Sequence, residues 1–181
     1  MKIHQLLHLL IVIVLFGSCY SYGPIHKPYG YNKKTKEYKQ YYINKTFEDA
    51  KVSIPEAEVK LIEDSIKILF PENILYKLQE VQPSSTYKPS FEKLTALLLN
   101  HTETDLLITG HCDNTGSVSF NKKLSGKRAD FIKHYLMQLG VTSGRMESWG
   151  LGSSSPIADN SSIEGQAKNR RVEFVVLYMT N

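Results

Sequence analysis

Two charged side chains have the clearest potential for chemistry in this chain, the carboxylate of Asp113 and the guanidinium of Arg128. Asp113 lies in a glycine-bearing loop, and Arg128 lies in the segment that follows it. Arg128 stands four residues after Leu124 and four before Ile132, so in a helix the three side chains project from one face. A guanidinium on an apolar, inward face needs an acidic partner or a place at the rim of a pocket. Asp113, in the loop just before the predicted helix, is the first candidate for that partner.

Two interpretations of this pair remain open at the level of sequence. An Asp–Arg ion pair that only ties the loop to the helix is common, since most ion pairs are structural. Alternatively, the two side chains are the poles of a site for a zwitterion. In that case Arg128 holds a carboxylate through two parallel hydrogen bonds, and Asp113 holds an ammonium group.

The run of His111, Cys112 and Asp113 contains residue types that bind metals. Adjacent residues of an extended loop point in different directions, and no second pair of ligands follows, so we expect no metal and no cofactor. We expect His111 to form a hydrogen bond within its loop. The region also offers no nucleophile with a base and no pair of carboxylates, and this predicts binding without enzymatic activity.

A strand and a helix must hold the pair in place. An apolar run at 105–109 predicts a buried strand, and a stripe of helical spacing predicts a helix at 121–139. Alternating runs within 56–70 predict a β-hairpin. The other predicted elements are a helix at 89–100 that buries Phe91, Leu94, Leu97 and Leu98, strands at 74–76 and 145–150, a loop at 150–167, and a strand at 170–178 with Val172, Phe174, Val176 and Tyr178 on one face.

Two series of residues resemble a known family. Residues 109–116 read Thr-Gly-His-Cys-Asp-Asn-Thr-Gly, and Asn121, Leu124-Ser125 and Arg128-Ala129 follow. This order resembles the core motif of the OmpA-like C-terminal domain family, G-H-T-D-x-x-G and then N-x-x-L-S-x-x-R-A. A second series, spread over 150–173, resembles the closing motif of that family. Spacing and order hold from about position 58 to 178, which is far more specific than a lone short motif.

The resemblance implies an α+β domain over 56–181, in βαβαββ order, with helices packed on one face of a mixed sheet. It also implies non-covalent binding of peptidoglycan, in which the positions of Asp113 and Arg128 grip the zwitterionic end of diaminopimelate in the stem peptide. We expect Asn121 and Thr115 to be hydrogen-bond partners of the ligand. By resemblance Arg170 closes the site, whereas its neighbour Arg171 is expected to be solvated or structural.

Two positions depart from the family pattern. Lys77 stands where the family usually has an acidic residue near the pocket. Cys112 replaces the usual threonine, and its thiol fills the same volume with a weaker hydrogen bond. These departures keep an alternative function open, an interaction module of an envelope complex whose pocket is vestigial.

The N-terminal region predicts export and anchoring. Lys2 precedes a run at 6–16 that is apolar apart from His8, and this run is too short for a permanent membrane-spanning helix of about 20 residues. Gly17-Ser18-Cys19 then resembles a bacterial lipobox. The resemblance implies that 1–18 is a signal peptide and that acylated Cys19 holds the protein in the outer membrane, with the domain in the periplasm. A cleaved signal followed by an incidental cysteine is the alternative.

Residues 19–55 are rich in tyrosine and lysine and are predicted to form a tether after the lipid anchor. They either link flexibly or lie on lipid headgroups, which suit basic and aromatic side chains. The formal charge of the 181-residue chain is +4, a modest excess that does not favour binding to nucleic acid. Its two cysteines are too few for a disulfide framework.

Overall fold

A computed structural model describes residues 35–70, 81, 83 and 85–179 of the chain. The predicted signal peptide, the lipidation site Cys19, the predicted strand at 74–76 and Lys77 lie outside the described residues. The described residues form helices and strands in the order α1 (Lys36–Ser53), β1 (Glu58–Ile62), β2 (Ser65–Leu69), α2 (Lys88–Asn100), β3 (Thr104–His111), α3 (Val118–Gln138), β4 (Met146–Gly152), α4 (Ile163–Asn169) and β5 (Val172–Tyr178).

The predicted α+β class is confirmed. The elements β2, α2, β3, α3, β4 and β5 follow the predicted βαβαββ order, with β1 added before them and the short α4 inserted before the last strand. The strands form one mixed sheet in the order β1-β2-β5-β3-β4. Strands β3 and β4 are parallel, whereas the other neighbours are antiparallel.

Alternation along the strands gives the sheet one core face and one outer face. Side chains on the core face, among them Ile68, Ile108 and Phe174, are fully buried in a single hydrophobic core with residues of α1, α2 and α3. The predicted buried positions of α2 and the inward positions of β5 belong to this core. The outer face carries the alternate residues, including Lys67, Leu107 and Trp149.

Glycines let α3 approach β3 and β4 at backbone distance. A Cβ atom on Gly110 would lie 2.1 Å from the carbonyl oxygen of Ser125, and one on Gly150 would lie 2.4 Å from the backbone nitrogen of Gly126. Only residues without side chains fit at Gly110 and Gly150. The close contact fixes the middle of α3, where Arg128 lies, against the carboxyl end of β3.

The predicted tether over 19–55 is wrong for residues 36–53, because they form α1. Thr35 caps this helix by accepting a hydrogen bond from the Tyr38 backbone N–H at 3.2 Å. Tyr38, Ile43 and Ala50 are buried, so one side of the helix packs on the domain. Frequent lysine and tyrosine conceal this narrow apolar stripe in the sequence. Among the described residues, no helix combines the length and apolar character needed to cross a membrane.

The predicted loop at 150–167 is also wrong in its last part. Helix α4 begins at Ile163, and the Ser162 side chain caps it by accepting a hydrogen bond from the Gly165 backbone N–H at 3.0 Å. A seven-residue helix that contains a glycine has too little periodicity to be detected in a sequence. The helix ends just before Arg170 and therefore sets the position of that side chain.

Candidate functional site

The predicted site residues meet around one cavity at the carboxyl end of β3. Its volume is roughly 130 Å³, which suits a small polar group better than a whole ligand. Asp113 and Thr115 come from the loop after β3, and Arg170 comes from the segment before β5. The full lining consists of Cys112, Asp113, Thr115, Gly116, Phe120, Asn121, Leu124, Arg128 and Arg170.

Asp113 is held as a buried, ionised carboxylate. Its Oδ1 atom accepts a hydrogen bond from the Thr115 backbone N–H at 2.8 Å, and its Oδ2 atom accepts one from Arg170 Nη1 at 2.8 Å. Burial opposes ionisation, but these hydrogen bonds outweigh it and hold the pKa of Asp113 below its usual range. The cavity therefore contains a fixed negative charge at neutral pH.

Arg128 projects inward from α3, as its place in the apolar stripe predicts. The residue is only 1% exposed, yet it lines the cavity. Burial raises the pKa of the neighbouring Cys112 thiol, and the positive charge of Arg128 opposes that rise. Asp113 forms an ion pair with Arg170, a partner that the sequence analysis did not name for it. The site thus contains one carboxylate and two guanidinium groups.

Asn121 builds the loop that carries the carboxylate. Its Nδ2 atom donates hydrogen bonds to the backbone oxygens of Asp113, at 3.1 Å, and Thr115, at 3.0 Å. These bonds use both amide hydrogens. Cys112 fixes the other side of the same turn, because its thiol donates to the Asn121 backbone oxygen at 3.5 Å. Asn121 and Thr115 line the cavity, as predicted, and also have structural hydrogen bonds within its wall.

His111 does not form the hydrogen bond that was predicted for it. It is the last residue of β3, its side chain is 2% exposed, and neither ring nitrogen has a hydrogen-bond partner among the described residues. Its Nε2 atom lies 3.9 Å from Glu173 Oε1. Burial, together with the positive charge of Arg171, lowers the pKa of His111 to about 4, so the ring is neutral at pH 7. The strand continues one residue too far for His111 to enter the loop.

Arg171 lies on the other side of the backbone from the cavity and has the structural role expected for it. Its Nη2 and Nε atoms donate to Glu173 Oε1 at 2.7 and 2.9 Å. Lys67 forms a second ion pair with Glu173, at 2.7 Å. Both Arg171 and Glu173 are buried. Among the described residues, no group of three or more His, Cys, Asp or Glu side chains is placed to hold a metal ion.

Comparison with known proteins agrees with this geometry. The model of the OmpA family matches residues 76–170, which is more than half of the 181-residue chain. The chain belongs to the OmpA family.

Three similar proteins illustrate the range of this OmpA-family match. "Probable lipoprotein YiaD" of Escherichia coli is 34% identical over 117 residues, which are 62% of this chain and 52% of that protein. "Peptidoglycan-binding protein ArfA" of Mycobacterium tuberculosis is 51% identical over 69 residues, 38% of this chain and 21% of that protein. The solved structure of the "cell wall anchor of the T6SS" of Pseudomonas aeruginosa has a TM-score of 0.63 at 25% identity, covering 76% of this chain and 97% of its own. The chain spans about half the length of YiaD and a smaller part of ArfA.

Sequence reasoning missed the polar residues that support the site from the closing motif of this OmpA-family chain. Asn169 Oδ1 accepts hydrogen bonds from the backbone N–H groups of Ile157, at 2.8 Å, and Ala158, at 3.1 Å. Its Nδ2 atom donates to Asn160 Oδ1 at 2.9 Å, and that oxygen also accepts from the Asn114 backbone N–H at 3.3 Å. Asn169 therefore joins the loop before α4 to the loop that carries Asp113. Its position in the motif was visible, but these long-range contacts were not.

Proposed function

We propose that this domain binds peptidoglycan non-covalently and that its cavity reads the zwitterionic end of diaminopimelate in the stem peptide. The observation that carries the proposal is a buried carboxylate, Asp113, in one small cavity with the guanidinium groups of Arg128 and Arg170. Similarity to the peptidoglycan-binding protein ArfA and to the cell wall anchor of Pseudomonas aeruginosa supports it.

Each pole of the zwitterion has a matching partner. An ionised carboxylate offers about four lone-pair directions, and hydrogen bonds from Arg170 and from the backbone and side chain of Thr115 occupy part of them at Asp113. The remaining directions accept the ligand ammonium. The ligand carboxylate binds the cationic side of the cavity, formed by Arg128 and Arg170, since guanidinium groups bind carboxylates in a planar, bidentate manner. Phe120 and Leu124 line the cavity with apolar surface for the aliphatic part of the ligand.

The proposed activity is binding without cleavage. Cys112 is the thiol in the lining, and burial raises its pKa, so it is protonated at neutral pH and a poor nucleophile. It donates its hydrogen to the backbone oxygen of Asn121 and is held there. Purified protein incubated with peptidoglycan should release no soluble muropeptides.

Anchoring to the outer membrane completes the proposal. In this part of the proposal, 1–18 directs export, acylated Cys19 inserts into outer-membrane lipid, and the domain reaches the wall in the periplasm. The lipoprotein name of YiaD supports it. Metabolic labelling with a radioactive fatty acid tests it, because Cys19→Ala should abolish incorporation. Equal labelling of the variant and the wild type would exclude lipidation at Cys19.

Co-sedimentation with purified insoluble peptidoglycan is the direct test of wall binding. Diaminopimelate-type peptidoglycan should retain the protein, whereas lysine-type or amidated peptidoglycan, which lacks the zwitterionic end, should retain less. Asp64→Asn is a matched control, because it removes one exposed carboxylate in the β1–β2 turn, far along the chain from the cavity. Equal retention by both types of wall would mean that the cavity does not read diaminopimelate.

A second candidate function is an interaction module of an envelope complex with a vestigial pocket. It is favoured by the existing Asp113–Arg170 ion pair, which a ligand must share or displace, and by Cys112 in place of threonine. In that case folded protein would stay in the supernatant with every type of peptidoglycan.

A further inference from the structure

A second concave site lies at the opposite end of β3, on the outer face of the sheet. The groove has a volume of about 340 Å³. Asp105 and Leu107 of β3, Glu147 and Trp149 of β4, and Leu177 of β5 contribute to its lining. At about 3.3 Å per residue, β3 separates Asp105 from Asp113 by roughly 25 Å, so this groove is distinct from the cavity at Asp113.

Two large apolar side chains of the groove, Trp149 and Leu177, are exposed to solvent. Trp149 is the only tryptophan in the chain, and it is 56% exposed on the outer face of β4. Leu177, on β5, is 38% exposed. A large aromatic side chain is costly to leave in water, and contiguous exposed apolar surface commonly marks an interaction site.

The charges around this apolar surface are mainly acidic. Asp105 and Glu147 face the groove, and neither forms an ion pair with any described residue. Burial raises the pKa of Asp105, and the positive charge of Arg145 partly opposes that rise.

Arg145 also lines the groove, but the rest of the domain engages its guanidinium group. Its nitrogens donate to the backbone oxygens of Leu98, at 2.9 Å, His101, at 2.9 Å, and Thr104, at 2.8 Å, and to Thr104 Oγ1 at 3.2 Å. Four of its five N–H donors are therefore used to hold the turn between α2 and β3. Arg145 keeps its positive charge, which acts on Asp105, so the groove contains two carboxylates and one guanidinium group that is held in place by the domain.

We propose that this groove is a docking site for a basic, extended segment of a partner protein, with a lysine or arginine side chain seated between Trp149, Asp105 and Glu147. The stem of such a side chain lies on Leu107 and Leu177, and its cation lies over the indole and beside the carboxylates. Nucleic acid and anionic lipid fit poorly, because the carboxylates repel phosphate.

The position of the groove favours an extended partner. Strand β4 is the last strand in the sheet order, so its outer edge has backbone groups that no described strand pairs. An extended segment can lie along such an edge and direct alternate side chains onto the outer face. The site is independent of wall binding, because the Asp113 cavity lies at the other end of β3.

Fluorescence of the single tryptophan provides the test on the full chain. The probe is the peptide Ac-Arg-Thr-Arg-Thr-Arg-Thr-NH2, and the same peptide with glutamate in place of arginine is the control. The arginine peptide should change Trp149 emission in a saturable way that weakens with added salt, whereas the glutamate peptide should have no effect. Absence of a saturable change with the arginine peptide would overturn the proposal.

Two double variants that remove the same charge distinguish binding in the groove from an effect of net charge. Asp105→Asn with Glu147→Gln should weaken the arginine peptide by about tenfold or more, because both ion-pairing partners are lost. Asp64→Asn with Glu92→Gln removes the same charge from exposed positions elsewhere and should leave the affinity within about twofold. Equal weakening by both pairs would mean that only net charge matters, and would overturn the proposal.

Two further variants identify the occupant and keep the two functions separable. Asp113→Asn should bind the arginine peptide as the wild type does, even where it no longer binds the wall. Lys27→Gln, Lys33→Gln and Lys34→Gln, combined in the full chain, should leave Trp149 emission unchanged without peptide. A change in that emission would assign the groove to the chain's own N-terminal segment and would overturn the partner proposal.

Discussion

Arg170 and Arg171 are neighbours in sequence, and each pairs with a carboxylate, but their surroundings differ. Arg170 has a side chain that is 25% exposed and holds Asp113 through Nη1 at the edge of an open cavity. Arg171 is 4% exposed and holds Glu173 through two nitrogens on the outer face of the sheet, where Lys67 and His111 also approach that carboxylate. Only the first pair can be reached by a ligand.

The difference shows that an Asp–Arg or Glu–Arg ion pair does not by itself indicate a binding site. At Glu173, Arg171 and Lys67 contact a carboxylate that is buried in the sheet, so its role is to stabilise the sheet. At Asp113, hydrogen bonds fix a carboxylate that lines an open cavity. Substitutions at the two clusters should therefore separate stability from binding.

The largest effect is expected from Glu173→Ala. It leaves Arg171 buried without its carboxylate, and removal of one partner of a buried pair typically costs about 3–5 kcal/mol. Chemical denaturation should show this loss in the free energy of unfolding. Protein that remains folded should bind peptidoglycan as the wild type does. Weaker wall binding by the folded fraction would mean that the two clusters are coupled.

The second effect concerns the cavity. Arg128→Ala and Asp113→Asn should each reduce affinity for a diaminopimelate-containing peptide about thirtyfold or more, since truncation of a charge-assisted contact costs roughly 2–5 kcal/mol. Titration calorimetry measures the affinity, and thermal melting controls for folding. If Arg128 and Asp113 have only structural roles, the affinity for the peptide will fall only in proportion to the loss of folded protein. Folded variants that bind as the wild type does would refute the site assignment.

The third effect is a pH dependence centred on His111. Its pKa of about 4 in the folded protein lies below the unfolded value of 6.5, so its contribution to stability is complete above about pH 6.5 and declines as pH falls toward 4. A pKa shift of this size corresponds to a contribution of as much as about 3 kcal/mol to the free energy of unfolding. Unfolding measured at intervals between pH 7 and pH 4 should show the decline, and His111→Gln should flatten it above pH 4.5. An unchanged slope in this variant would exclude His111 as its source.

Wall binding should respond differently over the same pH range. Hydrogen bonds from Arg170 and Thr115 keep the pKa of Asp113 below its usual value, so it stays ionised well below neutral pH. Affinity for the ligand should therefore remain nearly constant from pH 7 to pH 5, while the free energy of unfolding already declines. Parallel losses of affinity and stability would contradict the separation of the two clusters.

The smallest effect is expected from Arg170→Lys. This side chain is partly exposed, and ion pairs of that kind contribute about 1 kcal/mol or less, so melting should change little. The lysine keeps the charge but loses the planar donor geometry, and we expect a weaker loss of affinity than from Asp113→Asn. Arg171→Lys is the matched variant, and its melting temperature should fall further. The reverse order would contradict the assignment of the two arginines.

Local periodicity in the sequence predicted much of the fold and the inward position of Arg128. The spacing of Leu124, Arg128 and Ile132 placed a guanidinium on the inward face of α3, and alternation identified the hairpin and β5. The ion pair of Asp113 with Arg170 joins residues 57 positions apart, and no local pattern reports such a distance. Helix α1 was missed for another reason, because tertiary packing stabilises its narrow apolar stripe and helix propensity does not.

The close contact of Gly110 with the backbone of Ser125 holds α3 against β3, and Gly110 is not part of the cavity lining. Carbon and oxygen atoms rarely approach closer than about 3 Å, so a Cβ atom at Gly110, 2.1 Å from the Ser125 oxygen, would displace the helix by about 1 Å. Arg128 moves with that helix, and hydrogen bonds weaken steeply over such a distance. A larger residue at Gly110 should therefore weaken ligand binding without any change in the residues that line the cavity.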